Sequence, residues 1–197
     1  EVGQEYEFGE GSFTVLGPTQ IRDDSNNNSV VVRLDYGDTS FLFTGDAESK
    51  EEKDIIAANE DLDCDVLSVG HHGSASSTSW DFLEQVLPEY AVISCGVNNS
   101  YGHPDPDTIE KLESIEAQIF RTDLQGNIIA ISDGETITWN NVPSNGEVLY
   151  AADFVSVKEE PNDTSSTVGE LGPGNQIQVL NRDDNGWATI VFNGATT

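Results

Sequence analysis

An α/β domain followed by a small all-β barrel is the architecture predicted for this chain of 197 residues, and three observations predict it. Short apolar runs alternate with helix-patterned stretches between residues 41 and 115, the layer signature of an α/β fold. Each of the three histidines lies beside a glycine just after such a run or its loop. Past residue 146 the pattern changes to short strands that carry no histidine or cysteine.

Taken in order, residues 7–17 read as a turn feeding a short strand, closed by Gly17 and Pro18. A polar loop over 23–29 leads to a strand at 30–34, and a turn at 36–39 returns the chain along 40–44 as an antiparallel hairpin that delivers Asp46. Residues 47–59 read as a helix with Glu and Lys outside and Ile55, Ile56 and Ala57 facing a core. A buried strand at 65–69 ends at His71. The helix expected at 79–87 has Trp80, Phe82, Leu83, Val86 and Leu87 on its apolar side, and Pro88 stops it. A strand at 90–94, the His103 loop and a helix at 106–115 follow, with Asp105 or Asp107 as cap and Pro106 in the first turn. Strands at 118–121, 127–131 and 135–139 read as a meander closing the sheet edge. Residues 140 or 141 to 146 read as a linker, and 148–157, 176–180 and 187–192 as strands of the barrel.

Charge narrows the function. Eight Lys and Arg face 36 Asp and Glu, a net charge of -28 and an isoelectric point near 4.1. The acids are dispersed over the whole chain, so they are a surface property and not a solvated tail. Such a surface suits a high-salt habitat, where self-repulsion is screened. It leaves no basic footprint for nucleic acid. Cys64 and Cys95 lack Cys-x-x-Cys spacing and read as free, buried thiols. The chain opens on Glu1, with no signal peptide and no apolar run of membrane-spanning length.

The chemistry gathers at strand exits. In open α/β sheets ligands bind beyond the carboxyl ends of the strands, where this chain places Asp46, His71 with His72, and His103. Each alone reads equally well as a turn or structural residue. Together, Asp and His suggest a divalent metal, zinc first and manganese second. Asp46 has the position of a carboxylate bridging two ions, which would stabilise both oxygens of a phosphoryl or acyl displacement. On an extended backbone His71 and His72 would alternate, one into the site and one away.

Four motifs carry a family resemblance. Asn27-Asn28-Ser29-Val30-Val31, Thr44-Gly45-Asp46-Ala47-Glu48, Val69-Gly70-His71-His72-Gly73-Ser74 and Tyr101-Gly102-His103-Pro104 resemble, in order and spacing, the carboxy-terminal half of a metallo-β-lactamase-fold domain. The nearest subgroup is the competence-protein type, a hydrolase domain attached to a DNA-uptake channel, with free-standing secreted relatives. The resemblance implies that residues 1–140 are the second half of an αββα sandwich. It also implies metal-dependent hydrolysis of phosphodiester or related bonds with two divalent metal ions. Asp46 would bridge the ions and His103 would be the late ligand of the second. His71 and His72 would line the site as metal ligand or as phosphate and transition-state contacts, completing a catalytic set of Asp46, His71 and His72 and a metal set of Asp46, His71 and His103. The family's His-x-His-x-Asp-His motif is absent from these residues, so this stretch alone is not expected to hold two metals. The substrate would be a phosphoester, DNA included. Acyl hydrolysis and a non-catalytic scaffold are the competing readings.

Residues 147–197 resemble a bacterial SH3-like domain. The similarity lies in Phe154-Val155-Ser156-Val157-Lys158, Thr167-Val168-Gly169-Glu170-Leu171, Gly174-Asn175-Gln176-Ile177-Gln178-Val179-Leu180 and Gly186-Trp187-Ala188, with the domain expected to be cut before its last strand, after Asn193-Gly194. This resemblance implies binding of cell-wall peptides and an extracellular or cell-surface location.

Overall fold

Strands dominate the computed structural model, which describes residues 1–59, 61–145, 147–182, 185–192 and 195–196. Seven of them form one mixed sheet in chain order: β1 (Glu5–Phe8), β2 (Gly11–Gly17), β3 (Val31–Tyr36), β4 (Thr39–Phe43), β5 (Val66–Ser68), β6 (Tyr90–Ile93) and β7 (Gln118–Arg121). The first four pair antiparallel, as short turns allow. From β4 onward pairing is parallel. Parallel neighbours need crossovers, and α1 (Ser49–Ala58), α2 (Trp80–Val86) and α3 (Pro106–Ser114) supply them.

Register divides the sheet into two faces. Leu42, Leu67, Ala91 and Ile119 are aligned across β4 to β7, all 0–1 % exposed, and they pack with Ile55 of α1, Phe82, Leu83 and Val86 of α2 and Leu112 of α3. The flanking rows, Phe41–Val66–Tyr90–Gln118 and Phe43–Ser68–Val92–Phe120, point the other way because side chains alternate along a strand. Residues 118–139, expected as a meander at the sheet edge, divide differently. Gln118–Arg121 is the parallel edge strand β7, a short helix α4 (Thr122–Gln125) follows, and β8 (Ala130–Ser132) pairs only with β9 (Ile137–Trp139). Trp139 stacks on Phe120 with ring centroids 4.2 Å apart, which sets this hairpin over the second face.

Local chemistry explains the helix ends and two surprises. Asp105 caps α3 by accepting from the Asp107 amide, with Pro106 in the first turn as expected. Ser79 caps α2. On this helix Trp80 and Leu87 are 48 % and 63 % exposed, against the expectation that they join the core. At about 100° per residue, Phe82, Leu83 and Val86 share one arc while Trp80 and Leu87 fall beyond its edge. On α1 the expectation also fails: Ala57 is exposed, and Glu51 and Glu52 are buried. Their carboxylates accept backbone N–H groups that loops leave unpaired, Thr19 on Glu51 at 2.9 Å and Thr78 and Ser79 on Glu52. Burial raises both carboxyls above their ordinary range.

Residues 142–145 are not a free connector. Val142 is buried, the Ser144 amide donates to the Ile119 carbonyl at 2.5 Å, and the Asn145 side chain bonds the Ile119 amide and the Ala117 carbonyl, sealing the edge of β7. The stretch 148–157, expected as one strand, is broken into β10 (Glu147–Tyr150) and β11 (Val155–Lys158). β10 joins β13 (Gln176–Arg182), β14 (Ala188–Phe192) and β15 (Ala195–Thr196) in an antiparallel sheet, and β11 pairs with β12 (Thr167–Leu171). Val157, Val179 and Ile190 form its small core. Both cysteines are free, as expected, but Cys64 alone of the two is buried and Cys95 is half-buried. Among the described residues no helix is long and apolar enough to cross a membrane.

Candidate functional site

Because β4, β5 and β6 run parallel, their carboxyl ends lie along one edge, and Asp46, His71, His72 and His103 follow from those ends. Glycine makes the first turn possible. Gly45 has φ of 55°, and a Cβ there would meet the Ser29 side chain at 3.1 Å. The closeness is used: Ser29 Oγ accepts the Asp46 amide at 3.0 Å, and the Gly45 carbonyl accepts the His71 amide at 2.9 Å. The second turn closes on the third. Gly73, φ 83°, has no room for a Cβ, which would lie 2.7 Å from Pro104, and its carbonyl accepts the Asp105 amide. This contact brings His103 against His71, ring centroids 5.7 Å apart.

His71 and His72 do not alternate. Both adopt left-handed backbone, φ 49° and 56°, within a single turn over Gly70–Gly73. The extended geometry expected for this pair ends at Val69, before the turn, so both rings remain at the same edge of the sheet. Two consecutive non-glycine residues at positive φ are costly, and functional sites are where such strain collects.

Hydrogen bonds fix which nitrogens face the site. His72 Nδ1 lies 2.7 Å from the Ser94 carbonyl, which can only accept, so the proton sits on Nδ1. The other ring nitrogen, Nε2, lies 3.6 Å from Asp46 Oδ1. His71 Nδ1 lies 3.4 Å from both Glu48 Oε1 and Ser76 Oγ, while Ser76 donates to Glu48 at 3.0 Å. Glu48 and Ser76 thus hold the Nδ1 edge of the His71 ring. Glu48 also accepts from Asn26 and Asn27, and buried Asn27 accepts the Glu51 amide at 3.1 Å. Thus the Asn-Asn-Ser motif works by holding the Asp46 turn and the start of α1.

Beside His72 and His103 opens a cleft of about 340 Å³ that also takes in Ser94, Cys95, Asn99 and Tyr101. Burial and the hydrogen bond to Asp123 push the Cys95 thiol up to about 11, so at neutral pH it is protonated and a poor nucleophile. The Arg121 guanidinium holds Asp123 below the usual carboxylate range.

Residues 7–97 match the metallo-beta-lactamase superfamily. This chain is similar to that superfamily over the stretch that holds Asp46, His71 and His72, and the matched residues end before His103. Its relatives include ComE operon protein 3 of Bacillus subtilis, 38 % identical over 117 residues, covering 59 % of this chain and 15 % of that protein. Competence protein ComA of Neisseria gonorrhoeae is 36 % identical over 125 residues, 62 % of this chain and 18 % of the relative. Recombination protein 2 of Haemophilus influenzae is 40 % identical over 118 residues, 59 % and 15 % respectively. The matched stretch therefore spans 15–18 % of the length of these relatives.

The superfamily is generally hydrolytic and typically binds divalent metals, usually zinc. The donor types here suit that chemistry, but the geometry does not complete it. Among the described residues, no three His, Cys, Asp or Glu side chains converge closely enough to hold an ion. The expected set of Asp46, His71 and His103 is brought to one edge without forming a ligand cluster; Asp46 instead lies 3.6 Å from His72, and His71 lies 3.4 Å from Glu48. The described residues on their own do not form a complete metal centre.

Proposed function

We propose that this domain is part of a metal-dependent hydrolase of phosphodiesters, to which Asp46, His71, His72 and His103 contribute one wall of the active site. One observation carries the reading. His72 Nε2 and an Asp46 carboxylate oxygen face each other across 3.6 Å, with the other ring nitrogen held on the Ser94 carbonyl. A positive charge between them, as a proton on Nε2 or as a bound cation, satisfies the carboxylate, and the cation is the reading that the superfamily's chemistry favours. A zinc or manganese ion there needs further donors, and the family's His-x-His-x-Asp-His motif, from outside residues 1–197, would be their source. The names of the relatives, competence and recombination proteins, favour a nucleic-acid phosphodiester as the bond cleaved. In the same reading the tail is an SH3-like module that binds cell-wall peptide, which would place the protein outside the cell or at its surface. A cleft of about 260 Å³ lined by Val155, Pro161, Trp187 and Ile190 is the candidate peptide groove.

A second reading follows from the absent three-donor cluster: the α/β domain would be a non-catalytic scaffold and the tail the working part. Metal content and phosphodiesterase activity, measured on the full-length protein in high salt, separate the two. Bound divalent metal with activity abolished by Asp46→Ala supports the hydrolase. A folded full-length protein without metal leaves the scaffold.

A further inference from the structure

The cleft beside His72 and His103 has an aromatic rim. Tyr101 is 82 % exposed, and its ring stacks on His103 with centroids 5.9 Å apart and planes 15° from parallel. One face of the phenol ring therefore lies on an imidazole of the candidate site while the other is open to solvent. The loop that presents it is tied down by one side chain. The Asn99 amide donates to the carbonyls of Gly96 at 3.0 Å and His103 at 2.5 Å, and its oxygen accepts the His103 amide at 3.0 Å. Tyr101 belongs to neither apolar core. An ordered loop thus holds a large ring in water, next to the residues proposed to meet a phosphate.

We propose that Tyr101 is a stacking platform for an unpaired nucleobase, which makes the cleft selective for single-stranded nucleic acid. The inference rests on the phosphodiester reading and names its substrate class. Every base has a π-face, and stacking on an aromatic side chain needs no protein charge. Cationic charge is scarce in this chain. Arg22, Arg33 and Arg121 are paired with carboxylates, and Lys111 donates to the carbonyls of Ser77 and Thr78. With a net charge of -28, a grip on the phosphate backbone through counterion release is weak. A base inside a duplex has both faces covered by its neighbours, so only an unpaired base can lie on Tyr101. The phosphate attached to that base would then reach His103 and His72.

The test is binding of a short oligothymidylate to the 197-residue chain, in about 1 M KCl to suppress electrostatic attraction. An abasic deoxyribose-phosphate strand of equal length and a duplex serve as competitors, with ring signals of Tyr101 and His103 followed by NMR. We expect the oligothymidylate to bind best and Tyr101→Ala to weaken it roughly 5- to 150-fold, the worth of one stacked base. Tyr101→Phe should bind as the wild type does, and the abasic strand should ignore both changes. Near-UV circular dichroism establishes that each variant is folded. Equal binding of the abasic strand, or an oligothymidylate affinity that Tyr101→Ala leaves intact, overturns the platform, and so does failure of every strand to bind. Hydrolysis of a base-free dialkyl phosphodiester by the full-length protein decides independently whether the hydrolase reading stands.

Discussion

The two faces of the seven-stranded sheet are made by the same strands and end in different states. Against the helices, Leu42, Leu67, Ala91 and Ile119 are almost wholly excluded from water. On the opposite face, Phe41, Val66 and Val92 line a groove of about 590 Å³ roofed only in part by β8 and β9, and Phe43 stays 43 % exposed. Parallel strands are normally covered on both faces. The difference teaches that residues 1–140 fold around one completed interface while a second remains open, and that the candidate site hangs from the completed one.

Removing a side chain from each face in turn probes this difference. Leu67→Ala should have the largest effect: it leaves a cavity under three helices and costs about 2–5 kcal/mol, read as a shift of the urea midpoint. A cost under about 1 kcal/mol would mean that the helix layer is not the packed face.

The next effect comes from a carboxylate within that layer. Glu52 accepts the Thr78 and Ser79 amides, and Gln offers only one acceptor oxygen, so Glu52→Gln should cost about 1–3 kcal/mol through one orphaned N–H. It should also change the acid limb of stability. Burial raises the folded carboxyl above its ordinary value of 4.5, so between that value and the raised one the folded chain binds more protons than the unfolded chain. Stability therefore falls as pH rises through this window. Glu52→Gln should flatten the slope, leaving the similar but separate contribution of Glu51. An unchanged slope would assign the dependence to other acids.

Legibility in the sequence followed locality. Strand exits with glycine next to histidine can be read along the chain, which is why Asp46, His71, His72 and His103 were found and do share an edge. Glu51 and Glu52 could not be read, because a helix pattern codes charged residues as outward and gives no sign that distant loop amides need acceptors. Ser76 could not be read for the same reason, and Glu48, although part of the Asp46 motif, shows its work of holding His71 only in the structure. The left-handed turn at His71 and His72 depends on the Gly45 carbonyl and on Pro104 packing against Gly73, contacts made across 26 and 31 positions of the chain. Ser29 was within reach as part of a motif, although only the structure gives it a partner in the Asp46 amide.

The smallest effect bears hardest on the comparison. Phe43 sits one residue from Leu42 on the same strand but on the open face, and Thr keeps the β-branched shape a strand favours. With the groove open to water, Phe43→Thr removes apolar surface that is already half hydrated, and its cost should stay within about 1 kcal/mol. The urea midpoint should also be independent of protein concentration. Suppose instead that a second copy of the chain covers the groove in solution. The same substitution then strips a buried aromatic from an interface, the cost approaches that of Leu67→Ala, and the midpoint rises with concentration because dissociation is coupled to unfolding. A small, concentration-independent shift would establish that one interface suffices to fold these strands, whereas a large one would mean that the second face is as necessary as the first.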